Sequence, residues 1–313
     1  MTRRGIAGTE LSATRIGEEI LNRTDSALAA VVGAYFGAAG ERPGVLLGAV
    51  SLISAGVARG PRSFDGRHTQ PGLGAKRPRG FEEGSEIPEG AWLAVPRGPA
   101  ACLVALAYGG APPLRQVVKN GIAEAKRVGA DGRRQLLDTL SREGAHALTS
   151  TGFVRPLIHV GGPSEGGLLT EADFAPADEM DRPLELGRGD SEPGPGGSEQ
   201  RYRVPWADDP APSPPWTMSY LAAVDTHGGF AALGFSWCES GTEIDAGQLL
   251  MGPCAEPVRR GVPRVAPGAR VPCTAPLQIL ARDGVFTDVI AGPADAVHVG
   301  LHCDPVGRAV TRV

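Results

Sequence analysis

The sequence predicts an α+β protein in which helices dominate the first half of the chain and strands the second. Between residues 12 and 39 apolar side chains recur at helical spacing, and the run from Ala29 to Ala39 is almost entirely small or apolar, which indicates a helix buried on most sides. After residue 215, short apolar runs alternate with glycine-containing turns, as in strands joined by hairpins. This order favours α+β layering over repeated βαβ units.

The remaining elements of the first half follow from local patterns. Short buried strands are predicted within residues 45–57. Residues 60–90 are rich in Gly, Pro, Arg and Lys and show little periodicity, so we predict a long loop there. A strand at residues 91–95 and helices at residues 100–108, 114–128, 134–144 and 151–159 complete this half.

A change of composition divides the chain into three parts. Residues 175–215 consist mainly of Pro, Gly, Asp, Glu and Ser, with few apolar side chains to bury, which is typical of a flexible linker. We therefore predict a helix-rich half at residues 1–174, a linker at residues 175–215 and a strand-rich half at residues 216–313. The two halves are expected to fold as one globular unit.

Composition and charge argue against several classes of function. The 313 residues carry 31 Lys+Arg against 35 Asp+Glu, a net charge of −4, and without a basic block we expect no nucleic-acid partner. No apolar run approaches the ~18 residues of a membrane span, and the first residues lack the apolar segment of a signal peptide. We expect a cytoplasmic protein without a membrane partner. The 5 cysteines contain no C-x-x-C pair, so neither a metal nor another cofactor is expected.

Short motifs in both halves follow one another in a fixed order. In the first half they are Ser12–Leu21 with the alanine-rich helix after it, Phe64-Asp-Gly-Arg67, Leu93–Pro96, Tyr108-Gly109, Leu136–Leu140 with Gly144, and Gly166–Asp173. In the second half they are Tyr220–Asp225, Ser240-Gly-Thr242, Leu249-Leu250, Val265–Gly268 with Arg270, and Ala291–Pro293. In this order they resemble the large and small subunits of the γ-glutamyltransferase family.

The resemblance implies a fold. It covers most of the chain except residues 175–215, and it implies the αββα four-layer sandwich of the N-terminal-nucleophile hydrolases, within the α+β class. Members of the family are usually nearly twice as long, so we expect a shortened form of this sandwich.

The resemblance also implies a nucleophile position, and here the sequence departs from the family. Members cut their own chain to free a threonine, whose hydroxyl attacks an amide while its α-amine acts as base. The register of the resemblance places Met218 at this position, and a thioether cannot be acylated in this way. Thr217 or Ser219 would be the catalytic residue if the register were shifted by one. The alternative is that Thr217 begins a strand and has no chemical role.

Arg67 is the functional position that the family pattern preserves best. Its guanidinium could hold a substrate carboxylate through two parallel hydrogen bonds, which a lysine could not imitate. The alternative is a solvated arginine in a loop that contains several others. The neighbouring His68 is expected to be an exposed loop histidine.

Four further positions correspond to the family's substrate-binding residues. Glu256 falls near the acid that holds the substrate amine, and Thr274 keeps one of the hydroxyls that hold the substrate carboxylate. Gly292 falls in the segment whose amides stabilise the oxyanion. Asp295 places a carboxylate beside that segment, where a negative charge would disfavour the developing anion.

Three functions remain open from the sequence. The leading one is a γ-glutamyltransferase-like enzyme repurposed to bind a carboxylate-bearing small molecule, in specialised (natural-product) metabolism. The second is an active amide hydrolase or γ-glutamyl acyl transferase that uses Thr217 after self-cleavage. The third is a non-catalytic binding homologue. The expected partner is a small molecule in each case, and a homo-oligomer stays open.

Overall fold

In the computed structural model, two six-stranded antiparallel sheets pack face to face, and a layer of helices covers the outer face of the first sheet. The structure describes residues 4–56, 59–76, 78–110, 112–176, 180–184, 186–194, 197–210, 215–246, 248–293, 296–300 and 311–312. The predicted α+β class is therefore confirmed. In the described residues the helix layer and the two sheets provide three layers of the sandwich.

The helix layer is built around one apolar helix. The helices are α1 (Leu11–Thr24), α2 (Ala27–Glu41), α3 (Gly98–Gly109), α4 (Leu114–Arg127), α5 (Asp131–Glu143) and α6 (Thr151–Gly161). All residues of α2 from Ala27 to Gly40 are buried, because α2 packs on the first sheet with one face and on α1 and α4 with others. This explains why its sequence has no polar face.

The first sheet carries the elements that later position the site. Its strands are β1 (Gly5–Gly8), β2 (Val50–Gly56), β3 (Arg59–Gly66), β4 (Asp181–Pro183), β7 (Trp216–Val224) and β8 (Phe230–Cys238), in the order β1-β7-β8-β2-β3-β4. A separate hairpin is formed by β9 (Thr242–Ile244) and β10 (Leu249–Met251). All nine residues of β8 are buried, because one face of the sheet meets helices and the other meets the second sheet.

The second sheet contains much of the segment that was predicted as a linker. Its strands are β5 (Leu186–Gly194), β6 (Gly197–Arg203), β11 (Leu277–Arg282), β12 (Val285–Ala291), β13 (Val297–Gly300) and β14 (Thr311–Arg312), in the order β14-β13-β12-β11-β6-β5.

The secondary structure of residues 175–215 therefore corrects the linker prediction. They contribute β4 to the first sheet and both β5 and β6 to the second. The physical reason is that β6 pairs with β11 from Glu199 to Arg203, and ladder hydrogen bonds use the backbone of any residue except proline. Strand β3 likewise occupies the beginning of the loop predicted over residues 60–90.

Side chains of β7 alternate between the two faces of the first sheet. Leu221 and Ala223 join the core between sheet and helices, whereas Tyr220 and Ala222 join the core between the two sheets. This alternation decides which residues of β7 can enter the space between the sheets.

Within the described part of the chain, no helix is both long enough and apolar enough to cross a membrane.

Candidate functional site

Arg67 lies at one end of the space between the sheets, directly after β3. Strand β7 pairs with β8, β8 with β2 and β2 with β3, all antiparallel. The last residues of β3 and the first residues of β7 therefore lie at the same end of the first sheet. The guanidinium carbon of Arg67 is 4.6 Å from the ring centroid of Trp206, which belongs to the core between the sheets. The Arg67 side chain is only 13% exposed, so it is not the solvated loop arginine of the alternative prediction.

Asp65 fixes the orientation of the Arg67 guanidinium. Arg67 Nε donates to Asp65 Oδ1 and Nη2 donates to Asp65 Oδ2, each at 3.0 Å, and the Arg67 backbone N–H also donates to Oδ1 at 3.1 Å. Two parallel hydrogen bonds of this kind use the planar fork of arginine. The Nε/Nη2 side of the guanidinium is therefore occupied within the protein, which leaves its Nη1/Nη2 end for another acceptor.

A second carboxylate already binds Nη1. It belongs to Asp209, whose Oδ2 accepts from Arg67 Nη1 at 2.5 Å. Burial acts to lower the pKa of Arg67, but the hydrogen bonds and charges of Asp65 and Asp209 outweigh it and raise that pKa. Arg67 is thus a permanently charged donor between two acids.

Arg270 adds a second guanidinium on the other side of Asp65. Arg270 Nε lies 3.3 Å from Asp65 Oδ2, and Arg270 Nη1 donates to the carbonyl oxygen of Arg67 at 3.3 Å. Burial lowers the pKa of Arg270, with Asp65 opposing the shift and the charge of Arg67 adding to it. One buried carboxylate is therefore shared by two arginines.

Met218 enters the space between the sheets from β7. Its Sδ lies 4.0 Å from Sγ of Cys273, and it packs against the core between the sheets. Burial raises the pKa of the Cys273 thiol to about 12, so this thiol stays protonated at neutral pH and is a poor nucleophile.

Thr217 and Ser219 lie on the opposite face of β7 from Met218. The hydroxyl of Ser219 is buried, donates to Oε1 of Glu10 at 3.3 Å and accepts from Nε1 of Trp237 at 2.9 Å. Thr217 is exposed and pairs with Trp237 across the ladder. The structure does not bring either hydroxyl to Arg67, and their catalytic roles stay predictions.

The predicted substrate-binding residues are placed in different surroundings. Thr274 lies close to Asp209 in the structure, because its hydroxyl donates to the carbonyl oxygen of Ala207 at 2.8 Å. Glu256 is exposed, and its backbone is held by Gln70, which donates to Glu256 O at 2.7 Å and accepts from Glu256 N at 3.0 Å.

Gly292 occupies a left-handed backbone conformation (φ 91°), where a Cβ would meet the ring of Tyr220 at 3.1 Å. Its N–H donates to the carbonyl of Pro276 at 2.9 Å, so this amide is engaged within the protein. Asp295 lies outside the described residues.

His68 differs from the expectation of an exposed loop residue. It is 3% exposed, one ring nitrogen lies 2.7 Å from the carbonyl oxygen of Leu47, and the ring is 5.4 Å from that of Trp216. Burial lowers the pKa of His68 to about 4. The neutral ring therefore donates to Leu47 and supports the chain directly after Arg67.

Asp173, the last residue of the Gly166–Asp173 motif, has a structural role that sequence reasoning missed. It is fully buried, its Oδ1 accepts from the backbone N–H groups of Gly72 and Leu73 at 2.9 and 2.7 Å, and its Oδ2 accepts from Thr170 N at 2.8 Å. It thereby fixes the loop that contains Gln70. The only sequence signal for this role was the Thr-x-x-Asp spacing of Thr170 and Asp173, which is typical of a helix N-terminus.

The helix layer on two face-to-face antiparallel sheets defines an α+β sandwich, the fold class that the resemblance predicts. Solved structures agree. LmbA2991T421A matches with a TM-score of 0.61 and 14% identity, covering 94% of this chain and 80% of that chain. LmbA2991HD matches with a TM-score of 0.60 and 14% identity, covering 94% of this chain and 79% of that chain.

Cephalosporin acylase from Bacillus halodurans matches with a TM-score of 0.64 and 13% identity, covering 91% of this chain and 76% of that chain. No family model matches the sequence, and no curated protein matches it significantly. At this level of identity the likeness establishes the fold and leaves the reaction to be argued from the site.

Proposed function

We propose that this chain is a γ-glutamyltransferase-like protein, repurposed as an enzyme of specialised metabolism that binds a small molecule through its carboxylate. The observation that carries the proposal is the arrangement at Arg67. Asp65 fixes the guanidinium, and Met218 reaches the same space from β7. In this proposal Arg67 supplies the carboxylate-binding group, whereas Met218, at the position that the resemblance gives to the nucleophile, has no hydroxyl.

Arg67 supports carboxylate binding because its orientation does not depend on a ligand. Asp65 holds Nε and Nη2, and Trp206 supports one face of the guanidinium. A group that is already oriented loses little conformational entropy when it binds. The bond of Nη1 to Asp209 supports a preference for a carboxylate at this position.

Two observations argue against acyl transfer through a threonine. The thioether of Met218 cannot form an ester, and Thr217 points to the other face of β7. The active-hydrolase alternative has one observation in its favour, since Thr217 is exposed near the beginning of its strand, as a nucleophile has to be. One structural neighbour is named an acylase of cephalosporin, which is compatible with either proposal.

An intact mass of the purified chain after prolonged incubation tests the proposal against this alternative. We expect one uncut chain of 32.3 kDa. Two fragments with the break before Thr217, absent in a Thr217→Ala variant, would instead establish self-cleavage and favour the amide hydrolase or acyl transferase.

Binding of L-glutamate, followed by isothermal titration calorimetry, tests the carboxylate site separately. We expect saturable binding by the wild type and binding that is at least about tenfold weaker in Arg67→Lys. Equal binding by both proteins would contradict the proposal. Conversion of a bound carboxylate-bearing compound, followed by mass spectrometry, would separate an enzyme from a non-catalytic binding homologue.

A further inference from the structure

We propose that Asp209 occupies the carboxylate position on Arg67 from within the chain, and that a short aliphatic carboxylate ligand binds by displacing the Asp209 side chain. This inference rests on the proposed function, because it concerns the same arginine. It adds that the site is filled by its own acid until a ligand replaces it.

The first support is that Arg67 does not need Asp209 for its orientation. Asp65 binds the fork of the guanidinium and also the Arg67 backbone N–H. Asp209 binds only the remaining nitrogen, Nη1. When Asp209 leaves, the guanidinium keeps its place and presents the charged Nη1 group that Asp209 had bound.

The second support is that the Asp209 side chain can leave without the backbone around it. Trp206 is 5% exposed and donates to Oγ of Ser51 at 2.7 Å. Thr274 holds the segment on both sides of Asp209, because its hydroxyl donates to Ala207 O at 2.8 Å and its N–H donates to Pro210 O at 3.1 Å. The backbone is thus anchored, and rotation about the Cα–Cβ bond of Asp209 is enough to move its carboxylate away from Arg67.

The two acids that bind Arg67, Asp209 and Asp65, differ in solvent exposure. The side chain of Asp209 is 28% exposed, whereas that of Asp65 is 9% exposed. Within the described part of the chain, Arg67 is the hydrogen-bond partner of the Asp209 carboxylate. Water reaches the Asp209 end of this pair, whereas the Arg67 side chain is 13% exposed. A ligand carboxylate that replaces Asp209 keeps the buried guanidinium paired, and the released Asp209 carboxylate can be solvated.

The surroundings define the class of ligand. The position holds one carboxylate on a single methylene, next to the ring of Trp206 and near Cys273, which lies against Met218. Charged Asp209 also acts on the Cys273 thiol, whose pKa is raised chiefly by burial, so the two residues are neighbours. An unbranched carboxylate with an apolar arm fits these contacts.

Chemical rescue with small carboxylates tests this directly. In Asp209→Ala the position is empty, so sodium acetate or propionate should raise the melting temperature in a saturable way, compared with sodium chloride at equal ionic strength. The wild type should need roughly tenfold more acetate, because its own carboxylate competes. Asp208→Ala is the matched control, since the Asp208 side chain is 85% exposed and pairs with Arg203.

An acetate response of Asp209→Ala that is no stronger than that of the wild type or of Asp208→Ala would overturn the inference. So would a response that persists when Arg67→Lys is added to Asp209→Ala, because acetate would then bind elsewhere. If Asp209→Ala does not fold, Asp209→Ser removes the same charge with a smaller side chain and leaves room for acetate. Weaker L-glutamate binding in Arg67→Lys without any acetate rescue would leave the proposed function standing and reject only the role of Asp209. Acetate rescue of Asp209→Ala in a protein that does not bind L-glutamate would support the role of Asp209 and count against the proposed function.

Discussion

The guanidinium of Arg67 lies over the indole of Trp206, with 4.6 Å between its central carbon and the ring centroid. The indole N–H donates to Oγ of Ser51 on β2 at 2.7 Å, so the ring itself cannot turn freely. A cation over an indole face is attracted by the π electrons. The stacking and the Asp65 fork together hold Arg67 in one orientation.

Replacement of Arg67 by lysine tests this arrangement. Lysine keeps the charge but has neither the planar fork nor the flat face, so we expect L-glutamate binding to weaken at least about tenfold, as loss of a charge-assisted hydrogen bond predicts. The far-ultraviolet circular dichroism should stay unchanged. Arg282→Lys is the control, because its side chain is 48% exposed and lies 3.5 Å from Glu199. Similar weakening in both variants would show a general charge effect.

The central part of the fold was accessible from the sequence because its signals are local. The apolar run of α2 and the strands on either side of the Asp225 turn follow directly from periodicity and turn residues. The pairing of β6 with β11 was not accessible. A strand stabilised by backbone hydrogen bonds at the side of a sheet requires few apolar side chains, so its composition resembles that of a linker.

The site was accessible only in part for a related reason. The resemblance singled out Arg67 and Met218, whose functional roles stay predictions. Asp209 and Trp206 were hidden in the segment predicted as a linker, where one tryptophan among polar residues was the only signal. His68 was expected to be exposed because sequence alone does not show that Leu47 and Trp216 enclose it.

Asp173→Asn should destabilise the loop beside the site. The carboxamide replaces one acceptor oxygen by an NH₂ group that would face backbone N–H donors. We expect the free energy of unfolding to fall by about 2–3 kcal/mol, the cost of leaving buried polar groups unpaired, as measured by urea denaturation. Glu171→Gln, an exposed residue in the same helical turn, should change it by less than about 0.5 kcal/mol. Equal effects would show that Asp173 does not hold this loop.

The buried His68 makes stability depend on pH in a predictable direction. Its pKa falls from 6.5 to about 4 on folding, so between these values the unfolded chain binds a proton that the folded chain does not. The free energy of unfolding should therefore be complete above pH 6.5 and decrease by up to about 1.4 kcal/mol per pH unit as the pH falls towards 4.

The contribution of His68 can be isolated by comparing variants. In His68→Gln, whose amide can also donate to Leu47, the decrease in unfolding free energy between pH 6.5 and 4 should be shallower than in the wild type. His146→Gln removes an exposed histidine and should leave the slope unchanged. Urea denaturation at several pH values measures all three, and an unchanged slope in His68→Gln would contradict the buried, neutral state of this ring.

Two glycine-to-alanine substitutions should change stability in opposite directions. In α4, a Cβ at Gly121 would lie 2.3 Å from the carbonyl oxygen of Phe36 in α2, so the two helices would have to separate. We expect Gly121→Ala to lower the free energy of unfolding by about 1–3 kcal/mol, as overpacking does. In α6, a Cβ at Gly152 would have Ser150 Oγ at 3.9 Å as its nearest neighbour, and alanine should stabilise the helix by up to about 1 kcal/mol. Thermal unfolding of both variants provides the comparison, and a Gly121→Ala protein as stable as Gly152→Ala would contradict the close contact between α2 and α4.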